Sequence, residues 1–447
     1  MSNLTLYTTT FNCGRTFVNT PFFAASLFSA LKTNLPPDLI VLSLQELAPL
    51  GYAFLGGSLL TPYFSRLSDA VRIAAHDKFG DEVEYETVAV RNVGLTGIMV
   101  FARREVVGRV LWVRTAGVGV GVRETGHKGA VGVRVGMEGE GDGEEVMLTF
   151  VGAHLAPMEG DWDRRNQDWR AICEGLVFES DSDTLPSKAT TDADDAESDP
   201  LLTPQASQQR DDAQHTLFNP PTHLYFLGDL NYRTSDTPPH TTTTFPQPAA
   251  PPSDPTHYTR LLPHDQLTRE RKANRTLHHL AEAPIAFPPT YKYASAAQKH
   301  AAHLAASRAA GKSTAAAVDD DDNEVWLWAP HRVPSWCDRI LYLPSSSAAT
   351  NPTIQSYTAL PIQPTSDHRP VALSASIPFK PMESDVQPPF AVRRDWRERR
   401  AMARRLEVVV GMAAYLGWTW EGEMVLLGTV VGLGGGWLVL RALVGAV

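Results

Sequence analysis

The sequence contains little cysteine, only three among 447 residues. Cys13, Cys173 and Cys337 lie far apart and have neither paired spacing nor the spacing of a metal site, which suggests a reducing compartment rather than a disulfide framework. We therefore expect no disulfides. The first ten residues lack both a basic segment and an apolar one, so we expect no secretory signal and a main domain that faces the cytosol.

The sequence also lacks a strong positive charge, since the formal net charge is −10. The acidic residues are unevenly distributed along the chain. Residues 179–219 carry 10 acidic and 2 basic side chains, and residues 319–324 carry five more acidic ones. The remainder of the chain is mildly basic, which is compatible with a phosphorylated substrate. This charge gives no evidence of a nucleic-acid surface, so we expect no nucleic acid as a partner.

Apolar and alternating runs predict a domain in which strands outnumber helices. Residues 22–32, 63–75 and 160–178 have helical spacing. This order favours two packed sheets with helices on their outer faces, a four-layer α/β sandwich, and an open doubly wound sheet is the weaker alternative. The predicted strands are 4–11, 39–44, 97–102, 106–113, 129–135, 146–151, 224–227, 340–342 and 371–373.

Three stretches have the composition of loose insertions in a main domain that we place at residues 1–380. Residues 179–219 are acidic and rich in Ser, Thr and Asp, residues 234–257 are rich in Pro and Thr, and residues 295–323 are rich in Ala and then acidic. None of them can bury much apolar surface. We therefore predict that these insertions are disordered or lie loosely on the surface.

Short polar strings stand beside the predicted strands, where a strand emerges into a loop. In the string 228–233, a period of two predicts that Asp229 and Asn231 point into the same space from one face of an extended segment. The strings are Phe11-Asn12, Gln45-Glu46, Gly126-His127-Lys128-Gly129, His154-Leu155-Ala156, Gly228-Asp229-Leu230-Asn231-Tyr232-Arg233, Pro289-Thr290-Tyr291-Lys292, Pro334-Ser335-Trp336-Cys337-Asp338-Arg339-Ile340-Leu341 and Ser366-Asp367-His368-Arg369-Pro370-Val371.

In this order the strings resemble those of the inositol polyphosphate 5-phosphatases, members of the endonuclease/exonuclease/phosphatase superfamily, over residues 4–377. The resemblance implies a DNase I-like sandwich of two mostly antiparallel sheets flanked by helices. It also implies Mg²⁺-dependent hydrolysis of a 5-phosphate by in-line attack of water, without a covalent enzyme intermediate. Such a reaction needs a metal to polarise the phosphoryl oxygen, a carboxylate to orient water and cations to hold the substrate.

The resemblance assigns the central catalytic roles to four residues. Asp229 aligns and activates the attacking water, and Asn231 hydrogen-bonds the phosphoryl oxygens. His368 contacts the scissile phosphate and Asp338 orients it. A carboxylate partner would raise the pKa of the imidazole of His368 and keep it cationic.

Four further residues complete the predicted catalytic and metal site. Glu46 is the best candidate ligand for Mg²⁺, which prefers one or two carboxylates and retained waters, and Asn12 on the neighbouring strand would help to position the ion. Asp367 is assigned as a second carboxylate near water or metal. His154 would supply another donor to the oxygens of the transition state.

Cationic and aromatic residues of the strings are assigned to substrate binding. By resemblance, the positions that bind the phosphate adjacent to the scissile one are Lys128, Tyr291, Lys292 and Arg339, with Arg233 and Arg369 as supports. This set favours substrates that carry both a 4-phosphate and a 5-phosphate.

The strings depart from the family pattern at three positions. Phe11 stands where tryptophan is common, His127 stands where asparagine usually precedes the Lys-Gly pair, and Pro157 replaces a small residue. His127 has the greatest consequence, because it keeps the ability to hydrogen-bond but differs in size and can become charged.

The last part of the chain has the layout of a membrane anchor. We predict a basic juxtamembrane linker at residues 381–407 and a hydrophobic tail at 408–447, with the anchor at 424–440, a run of about 26 Å as a helix. Arg441 could snorkel to the interface. The tail is similar to that of yeast-type 5-phosphatases fixed to the endoplasmic reticulum, which predicts a location on its cytosolic face.

Several alternatives remain open from the sequence. The tail could form a soluble helical hairpin from residues 408–420 and 424–440 instead of an anchor. A membrane-held domain, monomeric in our interpretation, favours phosphatidylinositol 4,5-bisphosphate over soluble inositol phosphates. The alternatives to this activity are a nuclease of the same superfamily and an inactive, membrane-tethered module that binds phosphoinositides.

Overall fold

Two six-stranded sheets pack face to face in the computed structural model, which describes residues 3–141, 143–180, 212, 214–247, 250–309 and 327–444. The strands are β1 (Asn3–Asn12), β2 (Leu39–Gln45), β3 (Tyr85–Val93), β4 (Thr96–Arg103), β5 (Val110–Gly119), β6 (Gly129–Glu138), β7 (Glu145–His154), β8 (Glu179–Ser180), β9 (His223–Asp229), β10 (Asp338–Tyr342), β11 (Thr353–Ala359) and β12 (Val371–Pro378). One sheet has the order β11-β12-β1-β2-β4-β3 and the other β10-β9-β7-β6-β5-β8.

The sheets are mixed, but antiparallel pairs predominate. Only β1 with β2 and β7 with β9 run parallel among the strand pairs of the described residues. The helices are α1 (Thr20–Leu27), α2 (Leu50–Leu55), α3 (Thr61–Phe79), α4 (Arg104–Val107), α5 (Trp162–Gly175), α6 (Gln266–Lys272), α7 (Ser295–Ala309), α8 (Trp396–Trp418) and α9 (Trp420–Val444).

Strand β2 shows how its sequence fits the layered arrangement. All of its residues are buried. Ile40 and Leu42 belong to the core that includes α1 and α3, whereas Leu39 and Val41 belong to the core between the two sheets. A strand covered on both faces reads as a continuous apolar run, because alternate side chains enter different cores. A third core packs α5 on the outer face of the other sheet, so the predicted four-layer sandwich is confirmed.

Local predictions need correction in two of the elements. The strand predicted at residues 106–113 begins only at Val110, because the preceding residues form the short helix α4. Residues 295–309 form α7 instead of part of a disordered insertion. Alanine has the highest helix propensity, and Ala297 and Ala301 are buried beside Trp328.

The other predicted insertions are only partly described. Leu217 and Phe218 are buried in the core of α5, so the acidic stretch returns to the domain before residue 219. In the Pro/Thr-rich stretch, the carbonyl oxygen of Pro246 accepts a 2.8 Å hydrogen bond from the indole of Trp328. The disorder predicted for residues 181–211 and 310–323 lies outside the described residues.

The two C-terminal helices differ in how they meet the domain. Helix α8 crosses the predicted boundary between linker and tail and packs on α2 through one face. Gly411 lies at this contact, where an added Cβ would come within 2.8 Å of Phe54 Cβ. Helix α9 has 25 residues, which span about 37 Å, and its most apolar part is fully exposed. Among the described residues, α9 is the one helix long and apolar enough to cross a membrane.

Candidate active site

The site lies where strand ends of both sheets meet. In the parallel pair β7 and β9, His154 is opposite Asp229, and in the antiparallel pair β9 and β10, Asp229 is opposite Asp338. In the other sheet, Asn12 is opposite Gln45. The registers therefore bring together most of the predicted catalytic and metal residues, which are Asn12, Glu46, His154, Asp229, Asp338 and His368.

The Asp229 carboxylate is the centre of this cluster. Its Oδ2 accepts a 2.9 Å hydrogen bond from Asn12 Nδ2 and lies 3.3 Å from His154 Nε2 and 3.8 Å from His368 Nε2. Burial alone would raise the pKa of Asp229, but His368, His154 and Lys128 hold it well below the usual range. Asp229 is therefore ionised at neutral pH and available to accept a hydrogen bond or a proton.

His368 and Asp338 form a buried ion pair beside Asp229. His368 Nδ1 lies 2.8 Å from Asp338 Oδ2, which also accepts a 2.7 Å hydrogen bond from Thr290 Oγ1. Burial opposes protonation of the imidazole, but Asp338 and Asp229 raise the pKa of His368 to about 9. Burial raises the pKa of Asp338 to about 6, against the attraction of His368. At neutral pH His368 is therefore an imidazolium whose Nε2 faces Asp229.

Lys128 and His154 supply further hydrogen-bonding groups to the same space. Lys128 Nζ contacts His154 Nε2. Burial lowers the pKa of Lys128 to about 8, although Asp229 and Glu46 oppose this change. Burial and the adjacent Lys128 also lower the pKa of His154. At neutral pH the pair therefore consists of an ammonium group and a neutral imidazole.

Glu46 has the properties of a ligand for a hard cation. It follows β2 with a positive φ of 45°, and its Oε2 lies 2.9 Å from Arg15 Nε. Burial would raise the pKa of Glu46, but His154, Arg15 and Lys128 lower it, so the carboxylate stays ionised. Its side chain is 24% exposed, which leaves it accessible to a hydrated ion. A partly exposed, ionised carboxylate suits Mg²⁺ or Ca²⁺.

Two other groups of ligand atoms belong to the site, the amide of Asn12 and the trio of Asp229, Asp338 and His368. Asn12 Oδ1 accepts from Gly14 N at 3.1 Å while its Nδ2 donates to Asp229, so its amide is fixed beside Asp229, on the strand next to the one that Glu46 follows. Ligand atoms of Asp229, Asp338 and His368 lie within 4.8 Å of one another. These three are a second set of ligand atoms that could hold a metal ion, but all three are buried, whereas the partly exposed Glu46 leaves more room for the waters that Mg²⁺ retains. The donor chemistry therefore fits a cation at Glu46, beside Asn12.

A second group of predicted residues forms the wall next to His368. The ring of Tyr291 lies 4.4 Å from the His368 ring, and the Arg233 guanidinium lies 4.4 Å from the Tyr291 ring centroid. Lys292 Nζ pairs with Asp367 Oδ2 at 2.8 Å, and both side chains are 27% exposed. These residues form a partly open wall of cations next to the imidazolium, as a site for a further phosphate requires.

Three predictions in these strings need correction, and the first concerns the orientation of Asn231. Asn231 has a positive φ of 58° and follows the end of β9, so the period-two argument for its orientation is wrong. It still lies beside Asp229, because its backbone N–H donates to Asp229 Oδ1 at 3.2 Å. Its Oδ1 accepts a hydrogen bond from Arg233 Nη2 at 2.5 Å. Asn231 is thus fixed at the edge of the site by a turn rather than by a strand.

The assignment of Arg339 to substrate binding is wrong. Alternate residues of a strand point to opposite faces, so Asp338 faces the site and Arg339 faces away. The guanidinium is fully buried, with Nε 2.6 Å from Glu282 Oε1 and Nη1 3.0 Å from Asp265 Oδ1. Arg369, the proposed support, donates from Nε to the Leu360 carbonyl at 2.8 Å. Both arginines hold the domain together instead of facing the cleft.

Three residues of the site were not singled out from the sequence or were left in doubt. Thr290 fixes Asp338, and its place in the string before Tyr291 was a usable signal. Arg15 pairs with Glu46, but a lone arginine after a strand carries no such signal. His127 accepts or donates a 3.1 Å hydrogen bond with Thr125 Oγ1, and burial and Lys128 lower its pKa. The histidine at this unusual position is therefore neutral.

Comparison with known proteins places this geometry among phosphatases and nucleases. The pattern of endonuclease/exonuclease/phosphatase family 2 matches residues 9–374. Over 290 residues the chain is 30% identical to human phosphatidylinositol 3,4,5-trisphosphate 5-phosphatase 1, covering 65% of this chain and 19% of that protein. It is 26% identical over 341 residues to mouse type II inositol 1,4,5-trisphosphate 5-phosphatase, covering 76% and 26%. The chain thus spans only about a fifth to a quarter of these relatives.

One solved structure supports the fold across the whole domain. The inositol polyphosphate 5-phosphatase domain of SPsynaptojanin, in complex with inositol (1,4)-bisphosphate and calcium ion, matches with a TM-score of 0.56 at 20% identity. The match covers 91% of this chain and 90% of the other. The DNase I-like arrangement of two sheets flanked by helices is therefore confirmed.

Proposed function

Because the chain belongs to endonuclease/exonuclease/phosphatase family 2, we propose that it is a Mg²⁺-dependent phosphoinositide 5-phosphatase acting on phosphatidylinositol 4,5-bisphosphate. The observation that carries this proposal is the buried Asp229 carboxylate, whose Oδ2 accepts from Asn12 Nδ2 and lies 3.3 Å from His154 Nε2 and 3.8 Å from His368 Nε2. The names of the two curated relatives support the inositol 5-phosphate as the reacting group.

The arrangement can hydrolyse a phosphate monoester without an enzyme nucleophile. Ionised Asp229 orients a water and takes its proton as the water oxygen attacks phosphorus. The bond between phosphorus and the ring oxygen breaks, and that oxygen leaves with a proton from the surrounding water. The His368 imidazolium holds the phosphoryl oxygens while negative charge develops on them. The products are inorganic phosphate and phosphatidylinositol 4-phosphate.

The other residues of the site have positioning roles in this proposal. Asp338 and Thr290 hold the imidazole of His368, and Asn12 holds the carboxylate of Asp229. Mg²⁺ at Glu46 would supply positive charge to the phosphoryl group. His154, Asn231 and Asp367 are further groups around the reacting phosphate, the first two as donors and the last as a carboxylate near water.

Selectivity for a neighbouring 4-phosphate is assigned to the cationic wall. Lys292 is partly exposed there, Tyr291 is buried beside His368, and Lys128 Nζ contacts His154 Nε2. Arg233 is buried, and its Nε and Nη1 atoms have no hydrogen-bond partner among the residues that the structure describes. An unpaired buried donor is costly unless a ligand pairs with it. Arg339 is not part of this set, because it pairs with Asp265 and Glu282.

The exposed apolar helix α9 supports a lipid rather than a soluble substrate. A bilayer core is about 30 Å thick, so α9 is long enough to cross it with some tilt. We place the domain, as a monomer, at the cytosolic face of an intracellular membrane, the endoplasmic reticulum by the resemblance of the tail. Attachment would hold the site close to lipid headgroups.

The test is phosphate release by the full-length protein in mixed micelles that contain phosphatidylinositol 4,5-bisphosphate, with Mg²⁺ and with a chelator. We expect Mg²⁺-dependent formation of phosphatidylinositol 4-phosphate. Cleavage of an abasic DNA duplex without lipid turnover would favour the nuclease. Binding of the lipid without turnover of either substrate would favour the inactive module.

A further inference from the structure

Helix α8 contacts the loop that carries one of the site residues. This loop, residues 120–128, joins β5 to β6 and ends at Lys128. Arg123 and Glu124 in the loop have positive φ values of 51° and 60°. Residues other than glycine rarely adopt this conformation unless their surroundings hold them there. The surroundings that hold the loop are therefore part of what defines the position of Lys128.

Two side chains of α8 fix the loop. Arg399 forms a two-pronged ion pair with the Glu124 carboxylate, in which Nε lies 2.8 Å from Oε2. About two turns further along the same helix, Glu407 Oε1 accepts a 2.7 Å hydrogen bond from the backbone N–H of Gly126. The Glu407 side chain is only 8% exposed and its other oxygen lies 3.3 Å from Arg404. A buried hydrogen bond to a charged acceptor is among the stronger ones in proteins.

Backbone hydrogen bonds connect Gly126 to the segment that carries Glu46. The carbonyl oxygen of Gly126 accepts from Leu95 N at 2.9 Å, and that of Leu95 accepts from Leu47 N at 3.1 Å. Leu47 directly follows Glu46. The backbones of Gly94 and Gly126 are in close contact, since a Cβ added to Gly94 would lie 2.1 Å from the Gly126 oxygen. Three hydrogen bonds thus connect Glu407 to the segments that carry Lys128 and Glu46.

We infer that α8 is a clamp that positions Lys128 for substrate, with Glu407 as its main positioning residue. The inference rests on the function proposed above. Glu407 does not touch the site, so it acts only through the loop. Because α9 follows α8 after a single residue, Thr419, the same tail would carry both the membrane-facing helix and the clamp. The tail would then contribute to substrate affinity as well as to location.

The test compares three variants of the full-length protein in detergent micelles. Glu407→Ala removes the acceptor, Glu407→Gln keeps an oxygen in the same place, and Glu398→Ala removes an exposed glutamate from the same helix as a matched control. Hydrogen exchange of the peptides that cover residues 94–96 and 120–128 reports the loop. Kinetics with dioctanoyl phosphatidylinositol 4,5-bisphosphate separate KM from kcat.

We expect Glu407→Ala to speed exchange of the loop about 10- to 100-fold, because the Gly126 N–H loses a charged acceptor. The same variant should raise KM about tenfold with kcat changed less than about threefold, since Lys128 binds substrate. Glu398→Ala should stay within about twofold of the unaltered protein in both assays. Glu407→Gln keeps a neutral acceptor for the Gly126 N–H, so its effects should be clearly smaller than those of Glu407→Ala. Unchanged loop exchange in Glu407→Ala, or faster exchange without any rise in KM, would overturn the inference.

A second variant keeps the inference testable if Glu407→Ala does not fold. Arg399→Ala removes the other contact of the clamp and should produce the same rise in loop exchange and KM, whereas no change in either would count against the clamp. If the unaltered protein releases no phosphate, the proposed function fails. Exchange of the loop still decides in that case whether α8 holds it.

Discussion

Asp338 and Arg339 are neighbours on β10, yet they belong to two buried ionic clusters with opposite properties. Every nitrogen of the Arg339 guanidinium has a partner, with Nε and Nη2 on Glu282 and Nη1 on Asp265. Asp338 shares Oδ2 between His368 and Thr290, whereas its buried Oδ1 has no partner in the described chain. The Arg339 cluster is saturated and the Asp338 cluster is incomplete.

This difference distinguishes a structural cluster from a reactive one better than burial or charge does. Both clusters are buried and both have one cation between two carboxylates, and in the Arg339 cluster Arg271 adds a second cation 3.7 Å from Glu282. In the Arg339 cluster the charges neutralise one another in fixed pairs, which leaves nothing to bind a ligand. In the Asp338 cluster one histidine pairs with Asp338 and faces Asp229. Polar atoms therefore remain to bind a phosphate and a water that enter the site.

The largest effect is expected from Asp229→Asn. The amide keeps the size of the side chain but cannot take a proton from water, so kcat should fall about 1,000-fold or more. Phosphate release and the unfolding midpoint should be measured on the same preparation. A fall below about tenfold in a folded protein would show that Asp229 is not the base.

The next effect should appear in stability rather than in rate. Glu282→Ala leaves the fully buried Arg339 with half of its partners, which should lower the free energy of unfolding by about 3–5 kcal/mol. The kcat of the molecules that remain folded should stay within about threefold. Denaturant unfolding and active-site titration test the two statements separately, and a stable but inactive variant would contradict them.

A smaller effect is expected from pH. Because the pKa of His368 is raised to about 9, its imidazolium persists through neutral pH and is lost only as pH rises through that value. The rate should therefore fall on the alkaline side, beginning near the lowered pKa of Lys128, about 8. His368→Gln should lower kcat about 100-fold and remove the part of this fall near pH 9. A profile of kcat against pH that is flat to pH 10 would contradict the protonated state assigned to His368.

The smallest effect should come from the cationic wall. Lys292→Ala removes a partly exposed ammonium group, so KM for phosphatidylinositol 4,5-bisphosphate should rise about 5- to 10-fold with little change in kcat. With a substrate that carries only the 5-phosphate, the variant and the unaltered protein should differ less than about twofold. An equal loss with both substrates would place Lys292 at the scissile phosphate instead.

Residues that end strands could be predicted from the sequence. Asp229 follows a buried apolar run, and His368 and Asp338 stand beside two others, so the strand pattern was enough to expect polar groups at one edge of the sheets. The same reasoning could have rejected Arg339, because a side chain one position from Asp338 must point to the other face. A strand divides this string of residues between two faces, so neighbours in the string do not share one site.

Other features depend on partners far away in the sequence. Asn231 departs from the period of two because its left-handed turn is fixed by contacts with Leu155 and Arg233. The arginines of α8 resembled a lipid-facing linker, yet Arg397 pairs with Asp212, 185 residues away, and Arg399 with Glu124, 275 residues away. The composition of a short segment cannot reveal such pairs. The exposed apolar run of α9 could be predicted because it does not depend on distant partners.

The most direct test of the central claim compares Asp338→Asn with Arg339→Leu, two neighbouring substitutions on opposite faces of β10. Both proteins would be assayed for phosphate release per folded molecule and for the free energy of unfolding. The account predicts that Asp338→Asn loses about 100-fold in kcat with the smaller loss of stability, because Asn keeps an oxygen that accepts from His368, and that Arg339→Leu loses more stability with kcat nearly unchanged. The opposite pattern, or equal losses of kcat in both, would contradict it.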